Sequence, residues 1–166
     1  MSLELRNAVP GDAEAIAAIH NESVRVGNST FRSEPRPLSE VKALIRSGDP
    51  FLVAVDDGTV VGWASVGPYE ETNPYYRGVG EVAVYVSSVA RGRGAGAALL
   101  DAAAASAHAA HKFKLIAKVF TTNEASLRLF ERAGYSQVGT HIRHGRLRGE
   151  WKDVVVLEKL LGDAAA

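Results

Sequence analysis

Val84-Tyr85-Val86-Ser87-Ser88-Val89-Ala90-Arg91-Gly92-Arg93-Gly94-Ala95-Gly96-Ala97 is the stretch on which the organisation of this chain turns. An apolar strand runs into a glycine-rich turn, and the turn opens an alanine-rich helix expected over residues 94–111. The first turn of a helix leaves backbone N–H groups without acceptors. Its aligned peptide dipoles add roughly half a positive charge there. Phosphates bind such ends. Gly92, Gly94 and Gly96 let the backbone approach a bulky anion without Cβ clashes, and Arg91 and Arg93 add charge. A loop that only has to turn would need the same glycines.

Two other phosphate loops fit poorly. An ATP-binding loop requires Gly-Lys-Ser/Thr, and no lysine follows these glycines. Gly92-x-Gly94-x-x-Ala97 satisfies the dinucleotide fingerprint. That fingerprint also wants an acid about twenty positions on, at the end of the next strand. Here the next strand ends Val119-Phe120-Thr121-Thr122.

Working outward, Leu3 and Leu5 alternate with polar neighbours as in a strand. Asp12 is a candidate N-cap for a helix carrying Ile16 and Ile19, and Ser39 for a short helix carrying Val41, Leu44 and Ile45. Strands are expected over 51–55 and 59–66, joined by the turn Asp56-Asp57-Gly58. A loop rich in Pro, Gly and Tyr follows, then a strand over 81–86. Beyond the long helix come a strand over 114–120, a helix over 123–133 and closing strands over 135–140 and 151–157. Alternating strands and helices imply an α/β layered domain. The expected unit spans residues 1–162, with 163–166 as a tail.

The 166 residues carry no net formal charge and are 46% hydrophobic. That balance is enough for a core and lacks the basic footprint of a nucleic-acid or membrane-surface binder. There is no cysteine, so no disulfide, thiolate metal site or thiol nucleophile can form. The absence fits a reducing cytoplasm. Met1 to Arg6 lack the apolar core of a signal peptide. His108 and His111 lie three apart near a helix end, where the dipole favours them. No third ligand accompanies them in the sequence, and no metal is expected.

At Arg91-x-x-Gly94-x-Gly96 and Asn123-Glu124-Ala125-Ser126-Leu127-Arg128-Leu129-Phe130-Glu131-Arg132-Ala133-Gly134-Tyr135 the chain resembles the GNAT superfamily of acetyl-CoA-dependent acyltransferases. It looks most like the phosphinothricin and methionine sulfoximine N-acetyltransferase branch, on Ser29-Thr30-Phe31-Arg32-Ser33-Glu34-Pro35, Glu81 to Val86, the Asn123 motif and Gly149-Glu150-Trp151-Lys152-Asp153. The resemblance implies a single-domain, mixed and mostly antiparallel sheet flanked by helices and splayed at the fourth strand, with acetyl-CoA in the split. It implies that Val84, Tyr85 and Val86 pair through their backbone with the cofactor. Arg91, Gly92, Arg93, Gly94, Ala95, Gly96 and Ala97 would cradle its pyrophosphate, and Asn123 would help hold it. It further implies Glu81 as general base, Phe31 and Glu34 in a substrate loop, and a homodimer.

Arg77 offers a planar fork for a substrate carboxylate. The expected activity is acetyl transfer to the amine of a small amino-acid-like acceptor, directly in a ternary complex. The alternatives are a polyamine, aminoglycoside or protein N-terminus as acceptor, or a non-catalytic acyl-CoA sensor. Three features depart from the branch: Phe130 where a proton-donating side chain is usual, the acids Glu70 and Glu71, and Gly78-Val79-Gly80.

Overall fold

A computed structural model describes residues 2–166. The strands are β1 (Leu3–Asn7), β2 (Phe51–Asp56), β3 (Thr59–Pro68), β4 (Val79–Val86), β5 (Lys114–Phe120), β6 (Ser136–Leu147) and β7 (Glu150–Leu160). They form one sheet in the order β1-β2-β3-β4-β5-β7-β6. Only β4 and β5 run parallel. Four helices join the strands: α1 (Ala13–Val26), α2 (Leu38–Arg46), α3 (Ala95–Ala109) and α4 (Glu124–Arg132). Among the described residues no helix is long and apolar enough to cross a membrane.

The period-two alternation of the strands sorts the core into two layers. Leu52, Ala54, Ala64, Val66, Val82, Leu115, Ala117 and Leu157 pack with Leu99, Leu100, Ala103 and Ala107 of α3. Phe51, Val53 and Trp63 pack on the other face with Ile16 and Ile19 of α1 and Val41 of α2. Ala103 and Ala107 are fully buried, and side chains that small bring α3 close to the sheet.

Several local expectations need correction. Asp12 does not cap α1 with its side chain. Its carboxylate accepts two hydrogen bonds from Arg6, at 2.8 and 2.9 Å, and one from the Val9 N–H at 2.8 Å. The Arg6 hydrogen bonds hold this carboxyl below its ordinary range despite its burial. α2 starts at Leu38 with Pro37 at its N-cap, not at Ser39. β4 begins two residues earlier than expected, and β6 and β7 form a much longer hairpin than the sequence predicts. Irregular register around His141 to Gly145 conceals the alternation of β6. Gly162–Ala165 close the chain as one 3-10 turn.

The parallel contact of β4 with β5 is short. Val79, Gly80 and Glu81 pair with Lys114, Leu115 and Ile116, and the strands then part. β4 keeps its pairing to β3 as far as Val86, and β5 keeps its pairing to β7 as far as Phe120. The sheet therefore opens as a V between two intact halves.

His20 of α1 is buried at 1% exposure between Trp63 and Tyr85, with ring centroids at 6.2 and 5.0 Å. Its Nδ1 finds no partner among the described residues. Burial, reinforced by the charges of Arg36 and Arg32, pushes its pKa down to about 4. An unfolded histidine takes up a proton near pH 6.5, which the folded chain refuses until about pH 4. Stability from this group is therefore full above pH 6.5 and is lost as the pH falls through that window. At pH 5 the loss is about 2 kcal/mol relative to pH 7.5. Urea unfolding at the two pH values measures it, and His20→Leu flattens the difference.

Candidate active site

The V between β4 and β5 holds a cavity of about 430 Å³. Glu81 to Tyr85 form one wall and Lys118, Val119 and Phe120 the other. Ser29, Thr30 and Phe31 close it from the loop after α1, and Asn123, Ser126 and Phe130 from α4 and its cap. His144 of β6 completes the lining with Val154.

Two helix starts flank the V. Gly94 caps α3 in the left-handed region at φ +88°, and Gly92 has φ +73°. Added Cβ atoms at both would meet open space. The first α3 bond runs from the Ala98 N–H to the Gly94 carbonyl, so helix geometry leaves the Ala95, Gly96 and Ala97 amides free. A Cβ at Gly96 would meet Leu129 at 2.9 Å, so a glycine there lets α3 and α4 approach. Arg93 lies 3.6 Å from Asp56, and the Arg91 Nε reaches the Val86 carbonyl at 3.4 Å. On α4, the Asn123 side chain accepts from the Ser126 N–H at 3.2 Å, as an N-cap does.

Across the mouth of the V, Glu81 receives the Lys118 ammonium at 3.1 Å. The two side chains are 37% and 44% exposed, so solvent screens the pair, and such pairs are worth about 0–1 kcal/mol. Tyr85 packs at a tilt against Trp63, ring centroids 4.7 Å apart, and burial raises its pKa. Phe31 meets Phe120 edge-on at 4.8 Å and lies against Gly145 of β6. Asn28 and Thr122 exchange hydrogen bonds and tie this loop to the end of β5.

Of the residues singled out in the sequence, Glu81, Val84, Tyr85, Asn123 and Phe31 share the cavity wall. Val86 and Arg91 to Ala97 follow it around the end of β4. Glu34 and Arg77 are exposed, and neither lines the cavity. Phe130 is 3% exposed and packs on Tyr135. The Tyr135 hydroxyl is buried without a partner among the described residues, and burial raises its pKa. Tyr135 does not line the cavity.

The side chains of Arg146 and Arg148 have structural partners, and so does the backbone N–H of Arg143. Arg148 donates to the Val24 carbonyl at the end of α1 at 2.7 Å, Arg146 stacks on Trp151, and the Arg143 N–H donates to Asp153. Lys118 and His144 also line the cavity, and the sequence singles out neither for it. Lys118 had a visible signal, a single charge inside the apolar run Leu115 to Phe120.

The model of the acetyltransferase (GNAT) family matches residues 15–135. The L-methionine sulfoximine/L-methionine sulfone acetyltransferase of Pseudomonas aeruginosa PAO1 is 32% identical, covering 95% of this chain and 94% of its own. The crystal structure of a ribosomal-protein-alanine N-acetyltransferase from Brucella melitensis superposes with a TM-score of 0.90 at 33% identity, covering 95% and 99% of the two chains. A GNAT superfamily phosphinothricin acetyltransferase from Sinorhizobium meliloti, in complex with AcCoA, gives 0.91 at 30%, covering 99% and 91%.

Gly94→Ala tests the turn. A non-glycine residue in this left-handed cap costs about 1–2 kcal/mol, read as a lower urea midpoint. It also weakens the thermal protection that added inorganic pyrophosphate confers.

Proposed function

This chain belongs to the acetyltransferase (GNAT) family, and from that premise we propose that it moves an acetyl group from acetyl-CoA to the amine of a small amino-acid-like acceptor, of the phosphinothricin or methionine sulfoximine type. The observation that carries this reading is a carboxylate, Glu81, on the wall of a 430 Å³ cavity whose far end leads to a glycine-rich helix start. A cavity of that size suits a small molecule. The names of the Pseudomonas and Sinorhizobium proteins support the same acceptor class.

The residues present fit acetyl-CoA. Past Glu81, β4 keeps β3 but has lost its β5 partner, so the backbone groups on its β5-facing edge between Val84 and Val86 are open to pairing with an extended arm. The open turn at Gly92 and Gly94 has room for a pyrophosphate, and the unpaired amides of Ala95 to Ala97 face an anion with the helix dipole behind them. Arg91 and Arg93 add charge, and Asn123 keeps its amide nitrogen for the ligand while its oxygen caps α4. When bound, acetyl-CoA supplies an activated thioester.

The chemistry asked of the protein is modest. A free α-amino group has a pKa near ~8, so Glu81 need only take a proton from an amine already partly neutral at pH 7, directly or through one water. The amine nitrogen bonds to the acetyl carbon as the carbon–sulfur bond breaks. Without a cysteine no acyl-enzyme through sulfur forms, and transfer is direct. Phe130 cannot donate a proton to the departing sulfur. A thiol with pKa near ~8.5 leaves readily as a thiolate, and solvent supplies the proton.

The Brucella protein's name favours a second acceptor, a protein N-terminus. Thiol release with methionine sulfone, phosphinothricin, spermidine, an aminoglycoside and an alanine-initiated peptide separates the two. The expected pattern is turnover with the amino-acid analogues. Glu81→Gln lowers kcat about 100-fold at pH 7, the low end for a general base, and the deficit shrinks toward pH 9, where the free amine is neutral without help. Turnover of the peptide alone would transfer the assignment to protein N-termini.

A homodimer and a cytoplasmic setting belong to the same proposal. The outer strand β6 is exposed along nearly its whole length, and Val138, Ile142 and the neighbouring Trp151 are 59%, 68% and 50% exposed. Such an apolar edge calls for a partner. The chain's lack of cysteine fits a reducing compartment. Light scattering should return about twice the chain mass of 17.6 kDa. A monomer at micromolar concentration would contradict the dimer.

A further inference from the structure

We propose that Lys118 is the specificity residue that reads the acceptor's carboxylate, and that the Glu81–Lys118 ion pair is a stand-in for an α-amino acid zwitterion. This rests on the amino-acid acceptor proposed above. Lys118 is the one charged residue in the apolar run of β5 from Leu115 to Phe120. β5 is a central strand, flanked by β4 and β7. A lysine there needs a reason, because central strands are otherwise filled with apolar side chains.

The splay supplies its setting. The last β4–β5 pair is Glu81 with Ile116. Lys118 lies two residues farther on, with its side chain on the same face as that of Ile116. From there its Nζ reaches back to Glu81 Oε2 at 3.1 Å inside the cavity. Among the described residues it is the only lysine or arginine lining that cavity. The other cations near the acceptor loop are engaged elsewhere, since Arg32 and Arg36 both pair with Glu40. Arg77 is exposed outside the wall, and its carbonyl accepts from Lys112.

An α-amino acid carries its ammonium and carboxylate on a single carbon. Entering the cavity, it matches the existing pair with the charges exchanged: ammonium toward Glu81, carboxylate toward Lys118. The ion pair is half exposed and opens at little cost. Removing the ammonium of Lys118 from Glu81 also frees that carboxylate to accept the amine's proton. A simple amine lacks the group that draws Lys118 away, so the pair selects amino acids over other primary amines. Lys118 thus positions the acceptor and touches no reacting atom.

The test is steady-state kinetics of wild type, Lys118→Met and Lys118→Arg with methionine sulfone and with its carboxamide, which keeps the amine and loses the carboxylate charge. Lys118→Met should raise KM for methionine sulfone at least 10-fold with a smaller change in kcat. With Glu81 left unpaired, the carboxamide should be turned over as well as or better than by wild type, and KM for acetyl-CoA should stay within about 2-fold. Lys118→Arg should restore most of the loss, and its folding serves as a control for the methionine variant. An unchanged KM for methionine sulfone in Lys118→Met, or an equal rise for both acceptors, overturns the assignment of Lys118 while leaving the acceptor class intact. Wild-type enzyme that turns over neither acceptor, yet acetylates the peptide, overturns both.

Discussion

The structure depends on a pairing that stops. β4 and β5 share three parallel residue pairs and then diverge, although each keeps its other neighbour. Buried backbone N–H and C=O groups demand partners, so the inner edges of the V are an unmet requirement that a bound ligand can satisfy. The two halves stay intact because α3 packs across the β2, β3 and β4 side and β7 clamps β5. The glycine turn leaves the end of β4, and the cap of α4 follows the end of β5. The glycine-rich start of α3 and the Asn123 cap therefore sit beside the same opening.

Burial sorts the ionisable groups around this opening by task. The phenols of Tyr85 and Tyr135 are held neutral by burial, which makes them poor proton donors. His20 is kept uncharged in the inner layer. Glu81 and Lys118 instead remain in contact with solvent, where charge is cheap to hold and easy to exchange. Phe130 takes no part in this division and is packed against Tyr135 as core.

Much of this was legible in the sequence where local chemistry leaves few choices. Closely spaced glycines after an apolar strand and alternating apolar runs predicted the turn and most strands. Legibility failed where a side chain had a distant partner. Asp12 looks like a helix cap until Arg6 takes its carboxylate. β6 lost its alternation because it is an exposed edge with a register shift between His141 and Gly145. His144 reaches the cavity only through that hairpin, and nothing near it in sequence signals the fact. Lys118 was readable as an anomaly in an apolar strand, but its partner Glu81 lies 37 residues away.

Acetyl transfer by this chain requires acetyl-CoA in the V. Backbone amide hydrogen exchange, with and without acetyl-CoA, tests this most directly. New protection is expected at Val84 and Val86 and at Gly92 to Ala97, with little change along β1, β2 and β6. Protection confined to another surface, or none at either segment under saturating acetyl-CoA, would contradict it.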